Sequence, residues 1–200
     1  MATRQQPRVD VPPVTPPEFQ EAVAQMQAAR MRPEVLCESM PAPQRIAPFA
    51  AALSADVTVD GEDTGTGRIV LLHDPAGNDT WGGTFRCVAY ARAELTQEFA
   101  ADPFLAEVAW TWLVEALHSH GAVFAAPSGT VTKVTSESFG GMAEDGGSAQ
   151  LEIRASWTPT GDVGPHVEAW GELLCTAVGL EPVPEGVVAL PGRRGQRGDR

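Results

Sequence analysis

The stretch TFRCVAYAR at residues 84–92 leaves the chain few ways to fold. Phe85, Cys87, Ala89 and Ala91 fall on one side of an extended backbone, and Thr84, Arg86, Val88, Tyr90 and Arg92 on the other. Side chains alternate with period two along a strand, so this is a strand with one buried face and one mostly polar face. Such a strand needs neighbours of the same pattern and an apolar cover for one side only.

The neighbours supply that pattern. Leu53, Ala55, Val57 and Val59 alternate with Ser54, Asp56 and Thr58, and RIVLLH at residues 68–73 is a short apolar run of the kind a central strand carries. Residues 148–157 alternate most cleanly, with Ala149, Leu151, Ile153, Ala155 and Trp157 against Ser148, Gln150, Glu152, Arg154 and Ser156. Residues 130–139 are rich in β-branched and hydroxyl side chains, and residues 34–40 suit a further short strand. Turns are expected at 60–67 (DGEDTGTG) and 74–83 (DPAGNDTWGG) from their Gly, Asp and Asn content, and a loop at 140–147.

Three segments have helical spacing instead. Phe19, Val23 and Met26 follow Thr15, a capping type, with Glu18 at the capping-box position and Pro33 as the stop. Asp102 and Pro103 open a second helix whose stripe is Leu105, Val108, Ala109, Trp112, Leu113, Ala116 and Leu117, with Trp112 expected on the sheet and Gly121 after its end. Val167, Trp170, Leu174 and Ala177 mark one face of a third, at 165–178. After the short strand at 34–40, PAPQRIAP at residues 41–48 is pinned extended by proline and is expected to run across a surface. One-sided strands and one-sided helices combine as two layers. The expected fold is α+β: an antiparallel sheet of about five strands, helices packed on one face, the other face wet. The expected organisation is a disordered segment at 1–14, a single domain at 15–190 and a flexible Arg/Gly-rich tail at 191–200.

Charge and cysteine content narrow the function classes. A net charge of -12 repels nucleic-acid phosphates and anionic lipid, so neither is an expected partner. No stretch approaches the roughly 20 apolar residues of a membrane span, and the basic start has no apolar run behind it as a secretory signal would. Cys37, Cys87 and Cys175 are three, far apart and in apolar surroundings, which fits reduced structural thiols in the cytoplasm.

Five stretches carry a family likeness: LLHDPAGNDTWGGTFR at 71–86, SESFGG at 136–141, EIRASWTPTG at 152–161, LLCTAVGL at 173–180 and PVPEGVVALPG at 182–192. With these the chain resembles, from about residue 17 to 191, an actinobacterial family known only as a domain of unknown function, number three thousand. The resemblance implies a bacterial cytoplasmic setting and carries no activity, cofactor or catalytic residue.

The candidate chemistry is sparse. His73 and Asp74 beside a glycine-rich loop have the types of a base and its orienting carboxylate, but adjacent strand residues point to opposite faces. His118 with His120, and His166 with Glu168, are spaced i, i+2 and do not share a helix face as metal ligands would. Ser136 with Gly140 and Gly141 lacks the flanking glycines of a nucleophile elbow and the lysine of a phosphate loop. No catalytic residue, metal ligand or cofactor motif is assigned. The wet face, with Arg86, Tyr90, Arg92 and Arg154, and the loop residue Trp81 form the expected binding surface, since Arg and Tyr are enriched at interfaces. The expected function is a non-enzymatic domain that binds a protein partner, a ligand or a second copy of itself. The alternative is an enzyme with a site built from His73, Asp74 and residues 136–141.

Overall fold

The alternating stretch lies inside a strand that is fourth of six in one antiparallel sheet. The structure, a computed structural model, describes residues 14–182; expectations for residues 1–13 and 183–200, the Arg/Gly-rich tail among them, lie outside the described residues. In chain order the elements are α1 (Pro17–Ala28), β1 (Val35–Met40), β2 (Phe49–Val59), β3 (Glu62–Asn78), β4 (Gly83–Leu95), α2 (Gln97–Ala100), α3 (Leu105–Ser119), β5 (Val123–Ser136), β6 (Ser148–Thr160) and α4 (Gly164–Ala177). A 3-10 turn, Gly140–Asp145, joins β5 to β6. The sheet order is β1-β2-β3-β4-β6-β5, so four strands meander and a hairpin then inserts its second strand beside β4. The fold is the expected α+β arrangement, with helices covering one face.

The expected turn at 60–67 is much shorter. Asp60 and Gly61 alone close the β2–β3 hairpin, both at positive φ (52° and 88°), as a two-residue turn of this hand requires. The glycines beyond them belong to β3 and answer a packing demand. Ala55, Gly67 and Ala91 stand side by side across β2, β3 and β4 and leave a trough in the sheet. The Trp170 ring fills it: a Cβ at Gly67 would lie 2.7 Å from Leu174, 2.9 Å from the ring and 2.9 Å from the Tyr90 carbonyl oxygen. That same carbonyl accepts a hydrogen bond from the Trp170 indole N–H at 3.1 Å.

α4 was expected to bury one face. It is buried nearly all round, with Val167, Ala169, Trp170, Leu173, Leu174 and Cys175 each within 1% of full burial. The reason is that α4 runs between the sheet and the other helices, touching α1 and α3 as well as β2, β3 and β4. α3 adds Leu105, Ala109, Leu113 and Leu117, and α1 adds Phe19, Ala22 and Met26. Trp112 is half-buried and stacks on Phe99 of α2 at 6.5 Å, while its neighbour Trp110 reaches under Gly129. Thr15 does not cap α1; its carbonyl takes the Gln20 side chain instead, and the cap position is Pro16. Asp102 accepts the Phe104 N–H at 2.8 Å in a turn just ahead of α3.

Gly67→Ala is expected to destabilise the fold by about 2 kcal/mol, because the added methyl overpacks a seat bounded by backbone as well as side chains. A lower urea midpoint at unchanged denaturant slope is the outcome to look for; an unchanged midpoint would remove the trough from the account.

Candidate functional site

The helix-free face is less wet than its alternation implies. Met40, Ala42, Ala47, Ala50 and Trp81 gather over Ala52, Val70 and Leu72 to form a second, small apolar cluster. The segment at 41–48 helps make this cover and lies over the sheet face as expected, but it is not extended throughout: residues 44–48 bend and Arg45 takes φ 72°. Trp81 is thus half-buried in packing, and its carbonyl accepts the Thr158 hydroxyl.

Where the cover stops, an open groove of about 730 Å3 remains. Strand pairing arranges its floor in rows running across β3, β4, β6 and β5. One row is Arg68, Tyr90, Arg154 and Thr130; the next is Val70, Val88, Ser156 and Ser128. Successive rows on one face are two residues apart, roughly 7 Å. Pro43 and Ile46 of the covering segment form one wall. The floor is therefore apolar toward β3 and β4, hydroxyl-bearing toward β6 and β5, with arginines along one side.

Arg154 bonds Glu152 at 2.9 Å and sets its guanidinium carbon 5.6 Å from the centre of the Tyr90 ring. Burial, with Glu152 nearby, raises the Tyr90 phenol above its ordinary value. Arg68 lines the groove and forms no ion pair among the described residues. Arg92 bonds Gln150 at 3.1 Å and lies one row further along, outside the groove.

Arg86 is not in water. It is on the outer face, as expected, but only 8% exposed. Its guanidinium donates to the Ala126 carbonyl, the Thr158 hydroxyl, the Ser128 hydroxyl, and both the carbonyl and hydroxyl of Ser156, at 2.7–3.2 Å. All five acceptors are neutral, and Arg86 has no ion pair among the described residues. Burial pulls its pKa below the usual guanidinium value. The fold goes out of its way to hold this group: β5 breaks register between Ala125 and Ser128, and Ala126 takes φ 48°, a region that L residues other than glycine rarely adopt.

Of the expected binding residues, Tyr90 and Arg154 line the groove, Arg86 lies behind its Ser128–Ser156 end, and Arg92 and Trp81 are elsewhere. Sequence reading missed Arg68, Ser128 and Ser156. Arg68 opens the apolar run RIVLLH, and only the strand register sets it beside Tyr90.

The alternative constellation does not converge. His73 is on the helix side, 1% exposed, stacked 4.1 Å from Phe85, with Nδ1 donating to the Thr84 carbonyl and Nε2 3.6 Å from the Glu18 carboxylate. Asp74 accepts the Ala76 N–H in an Asx turn at 3.1 Å. Residues 136–141 follow the end of β5 that pairs near Leu95, whereas His73 pairs with Phe85. Ten strand residues separate those ends, roughly 33 Å. His118 is exposed and leans on Phe124, His120 faces Glu168 at 3.6 Å, and no cluster of three metal-ligating side chains occurs among the described residues. Cys87 and Cys175 are buried and free, their thiols pushed up to about 12 by burial; Cys37 is free and half-buried.

His166 is buried completely and accepts the Trp157 indole N–H at Nδ1, 3.0 Å, which puts its own proton on an unpartnered Nε2. Burial holds its pKa down to about 4.

The fold and the groove define a two-layer α+β protein with an open, arginine-edged pocket on the uncovered part of its sheet. The chain belongs to the family described as Protein of unknown function (DUF3000), whose model matches residues 15–188. Comparison with curated proteins and with solved structures found no match. No helix among the described residues is long and apolar enough to cross a membrane.

Two outcomes follow from this geometry. Arg86→Leu is expected to cost about 2–4 kcal/mol, because it strips the partner from several part-buried acceptors at once; a thermal melt indistinguishable from the parent would show the network to be ornamental. For His166, the folded form stays neutral between about 4 and 6.5 while the unfolded form takes up a proton. Stability is then lost as pH falls through that window, by up to about 1.4 kcal/mol per pH unit. A denaturation series should show this slope and show it flattened in His166→Gln; equal slopes would assign the acid sensitivity to other groups.

Proposed function

We propose that this protein is a cytoplasmic, non-enzymatic binding domain that takes a small ligand in the groove over β3, β4, β6 and β5. The observation that carries this is the composition of the groove: an apolar floor of Val70 and Val88, convergent hydroxyls and an arginine edge within about 730 Å3. That volume and that mixture suit a small-molecule site. Concavity favours a ligand over a flat protein contact, and it comes from the 41–48 segment standing at one side of the sheet face. Binding is favoured over catalysis by the lining itself, which contains no histidine, carboxylate, lysine or cysteine among the described residues. With no general base in reach, the serine hydroxyls are donors and acceptors for a ligand and lack the partner a nucleophile needs.

Nile red, a neutral dye that brightens in apolar surroundings, tests the groove as a site. The full chain is expected to bind it saturably, and Val88→Trp, which fills the floor from an exposed position, is expected to weaken it at least tenfold with an unchanged thermal midpoint. No saturable binding, or equal binding in Val88→Trp, would defeat the proposal.

A further inference from the structure

The groove carries positive charge without a counterpart, from Arg86 behind its Ser128–Ser156 end and from Arg68 across it on β3. Arg154 is neutralised by Glu152, but Arg86 and Arg68 have no carboxylate partner among the described residues. This is in a chain that carries 26 acidic side chains against 14 basic ones. A buried cation solvated only by neutral oxygens retains most of its field, because little water intervenes to screen it.

The neighbouring hydroxyls pass that field into the groove. Ser128 Oγ and Ser156 Oγ accept from Arg86 Nη2 at 3.2 and 2.7 Å, and both side chains line the groove. A hydroxyl whose lone pair faces a guanidinium must turn its own proton elsewhere. The two oxygens are 3.3 Å apart, so one can donate to the other and leave one O–H free for a ligand. Ser128 and Ser156 stand directly opposite each other, one row from Arg154, with Arg86 behind them. A group seated on the serine pair therefore meets a free O–H, with the Arg86 charge behind the hydroxyls, the Arg154 guanidinium one row away, and no carboxylate in the lining among the described residues.

We propose that the Ser128–Ser156 end of the groove seats the phosphate of a phosphomonoester, whose apolar body lies along Val88 and Val70 toward Ile46. This rests on the groove being a ligand site and names the ligand's class. A phosphate suits the place better than a carboxylate on two counts. The field of Arg86, which no carboxylate offsets among the described residues, favours the more highly charged head, and a tetrahedral head of three oxygens can take a hydroxyl proton below while accepting from the Arg154 guanidinium at the side. Arg86 acts as a positioning residue: it orients the hydroxyls and supplies field without touching the ligand.

Calorimetric titration of the full chain with phenyl phosphate, inorganic phosphate and phenol tests the proposal. Phenyl phosphate is expected to bind at least tenfold tighter than either of the others. Ser128→Asp, an exposed edge-strand change, places a carboxylate beside Arg86. It is expected to raise the thermal midpoint while weakening phenyl phosphate at least tenfold. Arg68→Gln is expected to weaken phenyl phosphate severalfold without altering the melt. The proposal is overturned if phenyl phosphate binds no tighter than phenol, if inorganic phosphate binds as tightly as the ester, or if Ser128→Asp leaves affinity intact. Groove-dependent Nile red binding without phenyl phosphate binding overturns this inference alone; absence of both overturns the ligand site as well.

Discussion

Trp170 seated against Gly67 is the contact on which the remaining architecture depends. An indole is the bulkiest thing a helix can offer a sheet, and it approaches closely only where the sheet lacks side chains. Ala55, Gly67 and Ala91 provide that gap in one row across three strands. The indole N–H would be an orphan donor at such depth, and the Tyr90 carbonyl receives it. α4 is thereby fixed in position along the sheet and in rotation about its own axis. α1 and α3 then pack on α4 and close the core. The same residue ties the two faces together: the backbone of Tyr90 is held from the helix side, and its ring lies in the groove on the other.

Committing all the large helices to one face leaves the opposite face to short-range solutions. The chain covers part of it with the 41–48 segment, which bends at 44–48 and whose alanines fit over Ala52, Val70 and Leu72. A flat sheet face has no preferred place for a small molecule. A partial cover gives it an edge, and the edge makes a groove. The groove's floor residues all sit on paired strands, so their relative positions are set by backbone hydrogen bonds, and a site carried on regular elements is held more tightly than one carried on loops.

Much of this was legible in the chain. Period-two alternation at 84–92 and 148–157 assigned Cys87, Ala89, Leu151 and Ile153 to the core, and all four are there. Two kinds of information were not. Gly65 and Gly67 read as turn residues by composition, because a glycine admitting a helix and a glycine bending a chain look alike until the partner is known. Register was the other. Alternation says which face a residue occupies and nothing about its neighbours across strands, so Arg68 beside Tyr90, and Ser128 beside Ser156, could not be seen. Arg86 shows the limit of polarity as a guide. A charged residue on a solvent-side position was expected in water, and a bulge in an edge strand two places away buried it.

That burial carries an energetic cost. A guanidinium withdrawn from water loses several kcal/mol of hydration, which neutral acceptors offset only in part. A carboxylate on Ser128 or Ser156 would be the direct remedy, since both positions already touch the charge. The chain instead carries hydroxyls there, and strains Ala126 to add one more carbonyl. Hydroxyls are weaker counterparts to a cation than a carboxylate, yet they differ in one respect that matters for binding: they leave the positive field outside unspent. A permanent carboxylate would make the network more stable and the groove indifferent to anions. With serines in place the Arg86 charge has no carboxylate partner among the described residues, and any anion that bound at that end would add to the stability of the fold itself.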